Sequence, residues 1–273
     1  MPYQFEQGRI YRMPTHFGPA PGPRQMPVEA NADPTRSPRK TLISASFLTE
    51  ASALEQHIPD RFVLVGDPVV TVEFHYMTDI DWLAGRGYTM IHVWWPVMFQ
   101  GEQDQAVGRF LAVMWENLAD PIITGRGEIG QPKLFAEIPE LRLVDGTYSC
   151  EASWMGFKFL DLQVVELDVP DETRPEPQLE GTLMLKYVPR TGAWGEAEIC
   201  QVSFTPVLTP GLTVESRKAA KGNVTFRHAD WRDLPTMYHV VNALAALPVL
   251  SSRGASIATT RGGKSYLDQQ LLT

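Results

Sequence analysis

Cysteine is scarce in this sequence, which contains two among 273 residues. Cys150 and Cys200 belong to no Cys-x-x-Cys motif and to no His/Cys cluster, so the usual ligand pattern of a zinc site is missing. We therefore expect two reduced thiols in strands, and we expect neither a metal ion nor a cofactor.

Runs of basic residues and long apolar runs are missing as well. The formal net charge is -8 at pH 7, whereas nucleic-acid binding needs a basic face. The best apolar run, YHVVNALAALPVL, is too short for a bilayer and contains His239, Asn242 and Pro248. The N-terminus lacks the basic-then-apolar layout of a signal peptide. We expect a cytoplasmic protein with no nucleic-acid partner and no membrane partner.

Proline and glycine are plentiful near the N-terminus. The stretch MPTHFGPAPGPRQMPVEANADPTRSP excludes a helix or a central strand, because proline fixes φ and removes a backbone donor. We predict an irregular arm over residues 1–38, followed by a single domain over residues 39–273. The arm is either a disordered leader or a cover that buries His16, Phe17 and Met26 on its own domain or on a neighbouring subunit.

Period-two alternation indicates several strands. In VVTVEFHYM, Val70, Val72, Phe74 and Tyr76 fall on one face, which is typical of a half-buried strand. TLISASF, YTMIHVWWPVMF, TYSCEASWM, FKFLDLQVVELDV, GTLMLKYV and AEICQVSFTPV are further strand candidates, and the helix candidates are TEASALEQHIP, PTMYHVVNALAAL and KSYLDQQLL. Many strands and few helices predict a mainly β (α+β) fold, whose antiparallel sheet must curl or close to hide its edges.

One segment fits two structures. In AVGRFLAVMWENL the apolar positions follow a helical period, yet the Val, Phe and Trp residues also suit a strand. Periodicity leaves both alternatives open.

The stretch GRGEIGQPKLF places Lys133 after a proline, between a glycine-rich turn and an apolar run. A lysine with an ordinary pKa is protonated at neutral pH and cannot attack a carbonyl group. Burial or a nearby cation lowers the pKa of a lysine, and the neutral amine then forms a Schiff base with a ketone or keto acid. From chemistry alone, Lys133 is either a solvated surface lysine or such a nucleophile.

The motif DPIITGRGEIGQPKLF resembles a segment of the acetoacetate decarboxylase superfamily, in which Pro-Lys follows Gly-Arg with the spacing of Arg126 and Lys133. EASWMGFKF, ALEQHIPDRF and LPTMYHVVNALAALPVL are similar to further family segments in the family's order. The resemblance implies an antiparallel, cone-like β-barrel with a few peripheral helices, assembled into homo-oligomers. It also implies that Lys133 is the Schiff-base lysine, and that residues 106–117 form a strand leading into a short helix.

The sequence departs from the decarboxylases at several positions. They carry a second lysine directly after the nucleophile, whereas this chain has Leu134, so burial must activate the amine. A family glutamate aligns with Met90, and Tyr88 is the nearest polar residue on that strand face. The family's pocket arginine, which would bind a substrate carboxylate, aligns with Arg39 or Lys40, since the register allows either.

Four further residues are candidates for the site. Gln131 takes the place of a family aromatic residue and is able to orient a water molecule or a hydroxyl group. Glu128 is the closest acid in sequence to Lys133 and is a candidate proton shuttle. Met114 and Trp115 match an apolar–aromatic pair that lines the family's pocket, and the alternative for both is an ordinary core position.

These departures affect the decarboxylation machinery while the lysine is retained, which resembles the superfamily branch that forms Schiff bases with pyruvate-like keto acids. We predict a lyase that acts on a small keto acid by aldolase–dehydratase or hydratase chemistry, with Tyr88, Gln131 or Glu128 as general acid or base. Two alternatives stay open. One is a decarboxylase of acetoacetate or a larger β-keto acid, and the other is a barrel that binds an apolar ligand without catalysis.

Overall fold

A computed structural model describes residues 4–27, 30, 32–167, 178–207, 212–264 and 266–273. Within these ranges the chain is mainly β, which confirms the class that the alternation predicts. The strands are β1 (Arg39–Leu48), β2 (Phe62–Leu64), β3 (Val69–Ile80), β4 (Arg86–Gln100), β5 (Gln105–Glu116), β6 (Lys133–Phe135), β7 (Arg142–Val144), β8 (Thr147–Trp154), β9 (Phe157–Glu166), β10 (Gly181–Arg190), β11 (Ala193–Pro206), β12 (Thr213–Phe226), β13 (Ser251–Arg261) and β14 (Gln270–Leu272).

The strands form one sheet in the order β14-β11-β10-β5-β4-β3-β1-β13-β12-β9-β8-β7, with β2 paired to β4 and β6 paired to β5. Strand pairs are antiparallel except for β5 with β10 and β5 with β6, which are parallel. In the described ranges, β14 and β7 end the path and do not pair with each other. The implied cone-like barrel is therefore corrected to an open sheet, because closure requires hydrogen bonds between the two end strands.

Strand alternation divides the side chains of the sheet between two apolar layers. Val70, Val72 and Phe74 of β3 are fully buried in the larger layer, as their spacing predicts. The intervening residues of β3 project to the other face, which carries the smaller layer. That layer is built from Met77, Ile80, Met90, Trp94, Leu111, Met114 and Met184.

Three α-helices lie among the described residues, namely α1 (Ala51–Glu55), α2 (Ala119–Thr124) and α3 (Tyr238–Ala245). β5 confirms the strand that the resemblance implies over residues 106–117, and α2 is the short helix that follows it. Most positions of β5 are buried on both faces, so its apolar residues do not alternate, and periodicity could not identify it.

The C-terminal helix predicted from KSYLDQQLL is wrong. Gln270–Leu272 forms β14 instead, and pairing with β11 supplies its backbone hydrogen-bond partners. No helix within the described ranges combines the length and the apolar character that a membrane span needs.

The described part of the N-terminal arm lies against its own chain. Arg12 donates a 3.1 Å hydrogen bond from Nη1 to Oγ1 of Thr124, whereas Phe17 is 80% exposed. Of the three residues that a cover would bury, His16 and Phe17 are exposed and Met26 is half-buried. Residues 1–3, 28, 29 and 31 lie outside the described residues, and the division of the chain at residue 38 stays a prediction.

Candidate active site

A cavity of about 250 Å³ opens on the face of the sheet that carries the smaller apolar layer. It is lined by six of the nine residues that the sequence predicts for the site: Lys40, Tyr88, Met90, Met114, Gln131 and Lys133. In the part of the chain that the structure describes, the other three, Arg39, Trp115 and Glu128, do not line it.

The register of four neighbouring strands places one row of side chains at this cavity. Lys133 of β6 pairs with Met114 of β5, which pairs with His92 of β4. His92 pairs in turn with Glu73 of β3. Directly paired residues project from the same face of a sheet. The row therefore runs from a buried carboxylate to the amine of Lys133.

A second row lies two residues further along the same strands. His75 of β3 pairs with Met90 of β4, and Met90 pairs with Glu116 of β5. Positions two residues apart on a strand share a face, so Glu116 projects beside Met114 into the space that Lys133 occupies.

Lys133 is buried, with 5% of its surface exposed. Its Nζ lies 2.9 Å from Oε1 of Glu116 and donates a 3.0 Å hydrogen bond to the carbonyl oxygen of Pro121. Burial lowers the pKa of Lys133, although Glu116 acts in the opposite direction, and burial raises the pKa of Glu116. Both shifts favour a neutral amine beside a neutral carboxylic acid.

The glycine-rich turn before β6 makes room for this amine. α2 continues into a π-helical turn, Gly125–Ile129, and Gly130 follows with a φ of 77°, a value that favours glycine. A side chain at Gly125 would place its Cβ 2.5 Å from Nζ of Lys133. Arg126 donates a 2.8 Å hydrogen bond from Nη1 to the carbonyl oxygen of Lys133. The Gly-Arg part of the motif therefore admits the lysine and holds its backbone.

The alternation of β1 determines which of Arg39 and Lys40 faces the cavity. Lys40 lines it, and burial lowers the pKa of Lys40 against the opposing effect of Glu73. Arg39 projects to the other side, where it is exposed and lies 3.9 Å from the carboxylate of Glu215. Of the two residues that the register allows, Lys40 is the one that a ligand in the cavity can reach.

Glu128 lies outside the cavity and faces the N-terminal arm. Its carboxylate lies 2.8 Å from Nε of Arg12 and also pairs with Nε of Arg24. Arg24, Pro23 and Met26 line one wall of the cavity. Glu128 therefore links the N-terminal arm to the π-helical turn through ion pairs with two guanidinium groups.

Trp115 faces away from the cavity. It is fully buried, its Nε1 donates a 3.4 Å hydrogen bond to Sδ of Met237, and its ring centroid lies 5.3 Å from that of Phe159. Met114 faces the cavity instead. The pair that the resemblance implies for the pocket is split, because adjacent residues of a strand project to opposite faces.

Two tyrosines, Tyr88 and Tyr266, and Gln131 are further polar residues that line the cavity. Burial raises the pKa of both Tyr88 and Tyr266, so their phenol groups stay protonated at neutral pH. Tyr266 also hydrogen bonds to the side chain of Gln131. The lining therefore offers hydrogen-bond donors on the side of the cavity next to Lys133.

The sequence does not single out Glu116, Arg24 or Tyr266, although all three belong to this region. Once β5 is known to be a strand, Glu116 shares a face with Met114, and that spacing identifies it. No local signal marks Arg24 or Tyr266, whose positions depend on how the two ends of the chain fold back onto the sheet.

A cluster of Glu73, His75 and His92 borders the cavity. Nε2 of His75 lies 3.3 Å, and Nδ1 of His92 lies 3.8 Å, from Oε2 of Glu73. These residue types bind divalent metals, and their ligand atoms lie within 4.8 Å of one another. Lys40 and Arg109 add positive charge close to the same groups. Because that charge repels a cation, the cluster fits a metal ion poorly.

A family model described as acetoacetate decarboxylase (ADC) matches residues 12–261 of the chain. The match covers the arm from Arg12 onward and every strand except β14. The curated protein sequences contain no match to the chain.

Several solved structures share the fold. One, from structural studies of acetoacetate decarboxylase, has a TM-score of 0.67 and 17% identity over 87% of this chain and 90% of that chain. The acetoacetate decarboxylase of Legionella pneumophila has a TM-score of 0.63 and 18% identity, over 86% and 87%. The enduracididine biosynthesis enzyme MppR, complexed with the condensation product of pyruvate and imidazole 4-carboxaldehyde, has a TM-score of 0.62 and 14% identity, over 86% and 88%.

Proposed function

Because this chain belongs to the acetoacetate decarboxylase family, we propose that it is a lyase that forms a Schiff base with a small keto acid through Lys133. The observation that carries the proposal is the buried amine of Lys133, which faces a cavity with the carboxyl group of Glu116 at 2.9 Å. Sites for drug-sized ligands measure roughly 300–1,000 Å³. A cavity of about 250 Å³ therefore suits a smaller molecule.

With the amine of Lys133 and the carboxyl group of Glu116 both neutral, the pair accounts for each step of Schiff-base formation. The lone pair of Nζ attacks the keto carbon while Glu116 gives its proton to the carbonyl oxygen. The carboxylate then takes a proton from the nitrogen, which leaves a neutral carbinolamine. A second proton from Glu116 allows the hydroxyl group to leave as water, and the protonated iminium withdraws electrons from the adjacent carbon.

We propose that Glu116, not Glu128, transfers these protons. Glu116 is the carboxyl group beside Nζ, whereas Glu128 pairs with two arginines outside the cavity. We assign the substrate carboxylate to Lys40, which lines the same cavity as Lys133 and stands at the position of the family's pocket arginine. Tyr88 and Gln131 are then the hydrogen-bond donors for a hydroxyl group or a water molecule during turnover.

We further propose aldolase–dehydratase or hydratase chemistry in preference to decarboxylation. Leu134 and Met90 stand where the decarboxylases carry a second lysine and a glutamate, and Met90 is buried at the cavity. The fold is shared with MppR, which is complexed with a condensation product of pyruvate and an aldehyde. A pyruvate-like 2-oxo acid with an aldehyde is therefore the substrate pair that we expect.

Borohydride trapping tests the Schiff base. The protein is incubated with pyruvate or acetoacetate, reduced, and analysed by intact mass and peptide mapping, and we expect the adduct on Lys133. Lys133→Met should lose both adduct and turnover and should keep the circular dichroism spectrum of the parent protein. Lys221→Met removes an exposed lysine of β12 and serves as the control. Absence of an adduct with either compound would contradict the proposal and favour a non-catalytic protein that binds an apolar ligand.

Product analysis separates the two lyase reactions. Pyruvate with an aldehyde should give the absorbance of an enone, and acetoacetate should release little carbon dioxide. Rapid carbon dioxide release without an enone would overturn the aldolase–dehydratase assignment and establish the decarboxylase alternative.

A further inference from the structure

We infer that His92 is a catalytic base of this site, which removes a proton from the carbon next to the iminium, and that Glu73 positions it. This inference rests on the proposed function, because it concerns the step after the Schiff base has formed. It assigns a role to a buried cluster that Schiff-base formation itself does not use.

The strand register puts His92 at the right distance from the nucleophile. His92 and Lys133 pair with the same residue, Met114, from its two sides. Neighbouring strands lie about 4.8 Å apart, so the backbones of His92 and Lys133 are separated by about 10 Å. Both side chains line the cavity. We therefore place a three-carbon acid attached to Nζ above Met114, with its methyl carbon toward His92.

The two ring nitrogens of His92 have different surroundings. Nδ1 faces the carboxylate of Glu73 at 3.8 Å, and this charge favours a proton on Nδ1. Nε2 is buried and has no hydrogen-bond partner among the described residues. The lone pair of Nε2 is therefore free to accept a proton, and Glu73 stabilises the imidazolium that results. A carboxylate plays the same part behind the histidine of a Ser-His-Asp triad.

His75 is a weaker candidate than His92, although it belongs to the same cluster. Its Nε2 is already 3.3 Å from Glu73, and it is not part of the cavity lining in the described residues. The two imidazole rings lie 4.4 Å apart between centroids. His75 therefore packs behind His92, on the side away from the substrate.

The charged and titratable groups near this cluster come from several strands. They are Lys40 on β1, Glu73 and His75 on β3, Arg109 on β5 and Lys133 on β6. Burial is the main effect that lowers the pKa of His92, and the neighbouring cations add to it while Glu73 opposes it. The imidazole is therefore neutral at neutral pH, which is the protonation state of a base.

The proton transfer is balanced without any other reactant. Nε2 of His92 takes a proton from the methyl carbon of the iminium, and the C–H electron pair forms the carbon–carbon double bond of an enamine. The π electrons of the C=N bond move to the nitrogen of Lys133, which becomes neutral. The imidazolium later returns the proton to the product.

Exchange of the pyruvate methyl hydrogens in deuterium oxide tests this step without a second substrate. Proton NMR measures the exchange, and borohydride trapping on the same samples measures the adduct on Lys133. His92→Gln and His92→Asn remove the basic nitrogen while placing an amide near the position of Nε2 or Nδ1. We expect both variants to keep the adduct within about threefold and to lose exchange by about 100-fold, which is the low end for a general base. Glu73→Gln should lose exchange by about tenfold.

Three controls make the outcomes distinct. His57→Gln changes an exposed histidine after α1 and should match the parent protein in both assays. If the parent protein forms no adduct, the proposed function is refuted. If both His92 variants keep the adduct and exchange at the parental rate, only the role of His92 is refuted. The role of His92 as a base would also be refuted if a chelator abolished the exchange and a divalent metal restored it, because the cluster would then be a metal site. Circular dichroism identifies any variant that fails to fold. If one of the two His92 variants is misfolded, the other one tests the role of His92.

Discussion

Removal of the Glu128 carboxylate should release the N-terminal arm from the cavity. Glu128 is 15% exposed and pairs with Arg24, which is 9% exposed, and with Arg12, which is 23% exposed. Loss of one partner of a buried ion pair costs about 3–5 kcal/mol. In Glu128→Ala, Arg12 keeps its hydrogen bonds to Thr124 and to the carbonyl oxygen of Pro21. We therefore expect the free energy needed to open the arm to fall by about 2 kcal/mol. Since 1.36 kcal/mol is a factor of ten, the open arm should become about 30-fold more populated.

Amide hydrogen exchange measures this opening directly. The backbone amides of Ile10, Ala20 and Gln25 donate hydrogen bonds of 2.9, 2.9 and 3.1 Å within the arm, and they are the reporters. Exchange through fast local opening is proportional to the open population, so these amides should exchange about 30-fold faster in Glu128→Ala. Glu55→Ala removes an exposed carboxylate of α1 and should leave the rates unchanged.

Unchanged amide exchange in the arm would contradict this prediction. If the three amides exchange at parental rates in Glu128→Ala, the pairs with the two arginines do not hold the arm. The arm would then be fixed by its remaining contacts, and Glu128 would have no structural role in covering the cavity.

Three other perturbations separate the remaining assignments. In Glu116→Gln the partner that raises the pKa of Lys133 is lost, so this pKa falls further and trapping by borohydride should reach its full rate at lower pH. A shift of the pH profile toward higher pH would contradict the pairing. Lys40→Ala should raise the half-saturating keto acid concentration by roughly 10–100-fold, the value of a hydrogen bond to a charged group, whereas Arg39→Ala should change it less than twofold. Equal effects of these two variants would refute the assignment of the cavity face of β1. Trp115→Ala should lower the free energy of unfolding by about 3–5 kcal/mol in urea titration, because Trp115 is fully buried in the larger layer. A loss below about 1 kcal/mol would show that it is not packed there.

Local patterns were sufficient for seven of the fourteen described strands and for one of the two C-terminal helices, whereas the long strands β12 and β13 were not predicted. The alternation in β3 correctly indicates which side chains enter the larger layer. Alternation did not identify the strand in residues 106–117, because a strand buried on both faces has no alternation to detect. The local pattern also gave the wrong structure for the last segment, because the three residues of β14 are stabilised by pairing with β11 and not by their own sequence.

The sequence by itself determined the family and singled out Lys133 as the candidate nucleophile, because the spacing from Arg126 to Lys133 is a local property of one turn, and that turn must leave room for the amine. The tertiary structure alone decided what surrounds that amine. His92 and Lys40 line the cavity from two different strands, Glu116 contacts the amine from a third, and only the pairing register brings the three together. Register depends on contacts between distant parts of the chain, so no local pattern can specify it.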